Sequence, residues 1–226
     1  MSVLKGEGRV PILFGSLALA VPPHRSAYIA RPDVEGEHPT TVIAHDAAGI
    51  TPASKAVARH LARHGYAVLV PDLMRGSAAG PDGFEWDVSD LVDAVDSARI
   101  PGTEWASGRR IALLGLGAGG VAASVVAAEA AVAGLVLVGS SPDPDILSAY
   151  SGALLVLHGA ADEVVPADEV RAAQQAVGRG EWVLYGGVGA GFFDDGSEDH
   201  DPQAAADGLG RIVGFLDHLL RPVAAA

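Results

Sequence analysis

The strongest constraint on this chain is a regular alternation. Short apolar runs that end at polar or glycine-bearing turns alternate with stretches whose apolar residues recur at helical spacing. TTVIA (residues 40–44) reads as a buried strand by its β-branched content and ends at His45-Asp46-Ala47-Ala48-Gly49. SKAVARHLARH (residues 54–64) has helical spacing and stops at Gly65. YAVLV (66–70) is the next strand, ending at Pro71-Asp72, and residues 88–98 place Val88, Leu91, Val92 and Val95 on one helical face. Strands follow at 110–114, 132–138, 153–157 and 182–185, with helices at 119–130, 167–177 and 203–220. Such alternation predicts a mostly parallel sheet covered by helices on both faces. Upstream, residues 10–14 and 17–21 flank Gly15-Ser16 and predict a hairpin, which 27–30 extends.

No repeat, linker or composition shift divides the 226 residues, so a single domain is expected. Hydrophobic residues make up 49%, enough to argue against disorder, while aromatics at 5% point to an aliphatic core. A net charge of −13 repels phosphate backbones and argues against nucleic acid as a partner. No apolar run approaches the roughly 20 residues of a membrane span, and no membrane partner is expected. The apolar stretch near the N-terminus is broken by Pro11 and Gly15 and reads as strand rather than as a signal peptide. The absence of cysteine excludes disulfides and thiolate chemistry and fits a cytoplasmic setting.

In a sheet of this kind, functional groups collect at the carboxyl ends of the strands. The candidates there are His45, Asp46, Asp72, Arg75, Gly117, Ser140, Ser141 and Asp162. LLGLGAGGVAAS (113–124) admits two readings. G-x-G-x-x-G at Gly115, Gly117 and Gly120 would cradle a dinucleotide phosphate. G-x-Nuc-x-G at 115–119 would be a strand-to-helix elbow that presents a nucleophile. A dinucleotide unit needs an acidic residue at the end of the following strand, which instead ends in Gly139-Ser140-Ser141. The elbow reading is preferred, and no cofactor is expected.

Other polar groups carry weaker signals. His60 and His64 share a helix face, but Leu61 stands where a zinc-protease motif has Glu, so no metal site is expected. Residues 194–201 are acidic but lack EF-hand spacing and read as a solvated loop. His200 within that loop is a candidate displaced catalytic histidine, weighed against a plain loop residue. His45 is either a strand-end residue with its bonds satisfied or a general acid–base group.

TVIAHDAAGI, YAVLVPDLMRG, GLGAGG and LLVLHGAADEVVP followed by VLYGGVGAGFFDD, in this order and spacing, resemble the dienelactone hydrolases, a branch of the α/β-hydrolase superfamily. The resemblance implies a one-domain α/β-hydrolase fold without a large cap, and a triad of nucleophile, His and Asp. At the matching positions stand Gly117, Ala190 and Asp162. The nucleophile and the histidine are therefore replaced, and covalent hydrolysis cannot run through them. The resemblance further implies an oxyanion hole from the N–H groups of Ala47 and Ala118, with Asp46 and Arg75 meeting polar ligands and Ala190 and Phe192 bordering the pocket. The leading expectation is a non-hydrolytic enzyme (isomerisation, dehydration, addition or cyclisation) acting on a small-molecule carbonyl or lactone-type ligand. Its proton carriers would come from Asp162, His45 and Asp46. A silent pseudo-hydrolase that binds a ligand or partner, and a nucleophile-free hydrolase, are the alternatives.

Overall fold

The computed structural model describes residues 8, 10–74, 88–100 and 105–221. Eight strands form one sheet: β1 (Ile12–Ala18), β2 (Ser26–Pro32), β3 (His38–Ala44), β4 (Ala67–Pro71), β5 (Ala106–Leu116), β6 (Gly134–Val138), β7 (Ala153–Gly159) and β8 (Glu181–Tyr185). Their order across the sheet is β1-β2-β4-β3-β5-β6-β7-β8. β2 runs antiparallel to β1 and β4, and the other neighbouring pairs are parallel. This is the mostly parallel sheet that the alternation predicts.

Among the described residues six helices cover it: α1 (Pro52–Arg63), α2 (Ser89–Arg99), α3 (Gly119–Glu129), α4 (Pro144–Ala149), α5 (Ala167–Val177) and α6 (Pro202–Leu220). The two-residue period of the strands sorts the core into two layers. Val42, Leu113, Leu135, Leu137 and Val156 face one way and pack on Leu91 and Val95 of α2 and Val126 of α3. Ile43, Leu114, Val136, Val138 and Leu157 face the other way and meet Val57 and Leu61 of α1 and Ile212 and Leu216 of α6. Both faces are buried, which is why these strands read as continuous apolar runs rather than as alternating ones.

Two local expectations are corrected, and one short helix stands where no element is expected. Gly15-Ser16 is no turn: both stay in β1, paired with Ile29 and Tyr28 of β2. The chain reverses later, where Leu19 N–H donates to Arg25 O at 2.8 Å and His24 takes φ +59°. The single-turn helix α4 was too short for a periodicity signal. Its mark is Asp143 before Pro144, whose carboxylate accepts from Asp145 and Ile146 N–H at 2.9 and 3.2 Å. β5 (Ala106–Leu116) begins four residues before and ends two residues after the strand expected at 110–114.

α1 links β3 to β4 on one side, and the chain then returns past β3 to enter β5 on the other. The strand order reverses between β3 and β5, and a crevice opens there at the strands' carboxyl ends.

Candidate active site

β5 ends at Leu116, and the chain turns at Gly117 into α3. Gly117 has φ +52°, and its N–H donates to Val138 O at 2.9 Å. The neighbouring glycines answer to packing. A Cβ on Gly119 would strike the backbone of Ala44 and His45, and one on Gly120 would strike Ser140. One on Gly115 would meet the Gly120 backbone, which lets α3 start tight against β5. The glycine spacing is thus explained by a close strand-to-helix elbow.

The side chain that fills the elbow comes from a different loop. Asp46 follows β3, and its Oδ1 accepts from Ala47 N–H at 2.6 Å and from Ala118 N–H at 3.0 Å. These are the two donors expected to form an oxyanion hole. In this structure they hold a carboxylate of the protein itself, at the positive end of α3. Asp46 also takes the space that a side chain at position 117 would use: a Cβ on Gly117 would lie 2.5–2.6 Å from both carboxylate oxygens. The same negative group stands where the dinucleotide reading would put a phosphate, so the turn gives that reading no support.

His45 does not reach the site. It is fully buried, its Nδ1–H donates to Asp46 O at 2.7 Å, and its Nε2 accepts from Leu73 N–H at 3.1 Å. Both ring nitrogens are engaged with backbone. Burial pushes its pKa below the usual histidine value, against smaller raising contributions from the Asp46 carbonyl and the Asp72 and Asp46 charges. The expectation of a general acid–base group is therefore corrected. His45 ties the loop after β3 to the loop after β4 and so positions Asp46.

Asp162 lies in the loop after β7, with its side chain 1% exposed. Its Oδ1 accepts from Val164 and Val165 N–H at 2.8 and 2.9 Å, closing a turn, and its Oδ2 lies 3.5 Å from His158 Nε2. His158 Nε2–H donates to Val165 O at 2.9 Å and so braces the same turn.

These groups border a cavity of about 470 Å³. Gly117, Ala118, Asp46, Asp162 and Ala190 all line it. The described lining adds Asp194, Thr51, Ser54 and Ser141, with apolar walls from Leu116, Val121, Val138, Val164 and Phe193. It includes three carboxylates and, among the described residues, no Lys, Arg or His.

Phe192 is corrected from pocket wall to core. It is fully buried, with its ring 5.4 Å from Tyr185 and 4.9 Å from Phe193, and Phe193 faces the cavity in its place. His200 points its Nδ1 at Phe192 O, 3.1 Å away, and does not line the cavity. Arg75 lies outside the described residues. Asp194 was missed because it opens the acidic run read as solvated loop. Its signal was register: it stands four residues after Ala190, on the loop that carries the histidine position.

The remaining candidates resolve simply. His60 and His64 stack with ring centroids 4.6 Å apart, and burial followed by the His64 and Arg63 charges lowers the His60 pKa to about 4. Among the described residues, no group of three or more His, Cys, Asp or Glu could hold a metal ion. None of the described helices is long and apolar enough to cross a membrane.

An eight-stranded, mostly parallel sheet with a glycine elbow at the end of β5 and an acid after β7 defines an α/β-hydrolase fold. Residues 26–220 match the sequence profile of the dienelactone hydrolase family, and the chain belongs to that family. Over 239 residues it is 28% identical to the Methylorubrum extorquens protein named "Putative carboxymethylenebutenolidase", covering 93% of this chain and 79% of the relative. Its fold is similar to that of a Klebsiella pneumoniae "Putative Dienelactone Hydrolase" (TM-score 0.80, 21% identity, 91% of this chain and 98% of that one). It is also similar to that of a dienelactone hydrolase from Anabaena variabilis (TM-score 0.74, 21% identity, 94% and 100%).

Proposed function

We propose that this chain is a non-hydrolytic enzyme of the dienelactone hydrolase family. It binds a small carbonyl or lactone-type compound in the 470 Å³ cavity and moves a proton on it, in an isomerisation, dehydration, addition or cyclisation. The observation that carries this reading is the seating of Asp46 Oδ1 on the Ala47 and Ala118 N–H groups.

Covalent hydrolysis needs a nucleophile, a histidine and unoccupied donors for the oxyanion. Here the first two positions are Gly117 and Ala190, and a carboxylate holds the donors. The same arrangement suits a general base. Two N–H bonds orient Asp46 through Oδ1, while Oδ2 carries no hydrogen bond among the described residues, and Asp46 is exposed and lines the cavity. A carbon acid entering the cavity meets that oxygen. Asp162 in the same wall is the second carboxylate able to relay a proton.

The test is exchange of α-protons of small ketones and lactones in D2O, followed by NMR. Exchange catalysed by the protein and lowered by roughly 10²-fold or more in Asp46→Asn supports the reading. Equal exchange by both proteins overturns it.

A second reading is hydrolysis by water that Asp46 activates, and the family's name favours it. It leaves the tetrahedral oxyanion without donors unless Asp46 withdraws from them. It predicts ester cleavage with no acyl-enzyme burst, which an aryl ester assay reads directly.

A further inference from the structure

We propose a second reactivity for the same side chain: Asp46 Oδ2 is a nucleophile toward saturated electrophilic carbon, and a small neutral epoxide entering the cavity is captured as an Asp46 ester. The inference goes beyond proton transfer on a carbonyl and does not depend on it.

Three observations combine. Among the described residues the carboxylate is held at one oxygen only, with Oδ1 on two backbone N–H groups at 2.6 and 3.0 Å. Its other oxygen stands over Gly117, in the volume that a nucleophile at the elbow would use, because a Cβ there would lie 2.5 Å from Oδ2. The cavity in front of it is about 470 Å³, with apolar walls that include Leu116, Val121, Val138 and Val164, and holds room for a small hydrophobic epoxide.

A carboxylate reacts at saturated carbon through one oxygen while the other becomes the ester carbonyl. That division is built in here. Oδ2 forms the new C–O bond, the epoxide C–O bond breaks, and its electron pair goes to the epoxide oxygen, which takes a proton from water. Oδ1 becomes the carbonyl oxygen without leaving its two donors. Those donors are then placed for the second half of the reaction. Water adds to Cγ, the developing oxyanion on Oδ1 is already hydrogen-bonded, the Cγ–Oδ2 bond breaks, and a diol departs. The sum is one epoxide and one water giving one diol. Asp46 is returned with one oxygen derived from solvent.

The experiment incubates the full chain with styrene oxide in H2¹⁸O, followed by peptide mapping by mass spectrometry. The expected result is a modified peptide containing Asp46. It carries either the epoxide mass, where the ester persists, or ¹⁸O in the Asp46 carboxylate, where it has turned over. Modification should be roughly ten-fold or more faster than at any other carboxylate of the same chain. The mapping needs no variant, so it does not depend on how well Asp46→Asn folds. An unmodified Asp46 peptide overturns the proposal, as does diol formation with ¹⁸O in the diol alone. In either case the D2O exchange assay separately decides whether Asp46 acts as a base.

Discussion

The Ala118 N–H donates to Asp46 Oδ1 at 3.0 Å, across 72 residues of sequence, and so joins the loop after β3 to the start of α3. The contact gives Asp46 the donors and the volume that a nucleophile at position 117 would need. On the proposed reading, a serine at 117 and a histidine at 190 are not enough for covalent hydrolysis. Gly117→Ser with Ala190→His should leave aryl ester hydrolysis close to background. Adding Asp46→Gly should raise the initial rate by about ten-fold or more, by freeing donors whose loss typically costs 10²–10³ in rate. Equal rates for the two proteins would show that the carboxylate yields to the new side chain without cost.

Gly117 sits at φ +52°, where L side chains are strained, and its Cβ direction is blocked by Asp46. Gly117→Ser alone should therefore lower stability by about 1–3 kcal/mol, read as a reduced midpoint in urea unfolding. In an Asp46→Gly background the same substitution should cost less, because only the backbone strain remains.

Asp162 has a testable division of labour. Asp162→Ala removes the acceptor for Val164 and Val165 N–H in a partly buried turn and should lower stability by about 1–3 kcal/mol. Asp162→Asn keeps an oxygen acceptor and should cost less. If proton exchange on a carbonyl substrate nevertheless falls in Asp162→Asn at unchanged Tm, the carboxylate also serves the chemistry.

The cavity should discriminate by charge. Asp46, Asp162 and Asp194 line it without a described cation, so a carboxylate-bearing ligand meets repulsion that its neutral amide does not. Calorimetric titration of a lactone acid and its amide should show the amide binding about ten-fold or more tightly, with the gap narrowing as salt is raised. Tighter binding of the acid would reveal a compensating cation.

Stability should fall with acidification through two histidines. Burial lowers the pKa of His45, and burial with the His64 and Arg63 charges lowers that of His60 to about 4. Both groups bind a proton more readily when unfolded, near pH 6.5, than when folded. Their neutral forms favour the fold fully above that pH; the His60 contribution is lost as pH drops from about 6.5 toward 4, and that of His45 is lost in the same direction, below its unfolded value. Thermal unfolding of the protein beside His60→Gln should show a shallower loss for the variant in that window. Parallel curves would assign the loss to other groups.

Much of the fold was legible because the central strands are buried on both faces. Runs such as 42–44 and 135–138 carry no polar interruption and end at glycine or polar turns. Edges and short pieces were less legible. β1 is half exposed, so Gly15-Ser16 looked like a turn where pairing with β2 keeps it extended. In the site, positions were readable and partners were not. Asp46, Gly117, Asp162 and Ala190 do meet at one cavity, as their places at strand ends imply. That Asp46 bends back onto Ala118, and that His45 turns away to Leu73, depends on contacts between loops that no local pattern encodes. Phe192 and Phe193 show the same limit: which of two adjacent rings faces the cavity is set by the turn of the loop.

The shared volume of Asp46 and position 117 also imposes an order on substitution. A chain that shortens residue 46 first passes through an intermediate with free donors and an unobstructed elbow. A chain that first adds a side chain at 117 passes through one in which two groups overlap. Laboratory selection for ester cleavage starting from this protein should therefore accumulate changes at 46 before changes at 117. Position 46 acts as a latch on position 117.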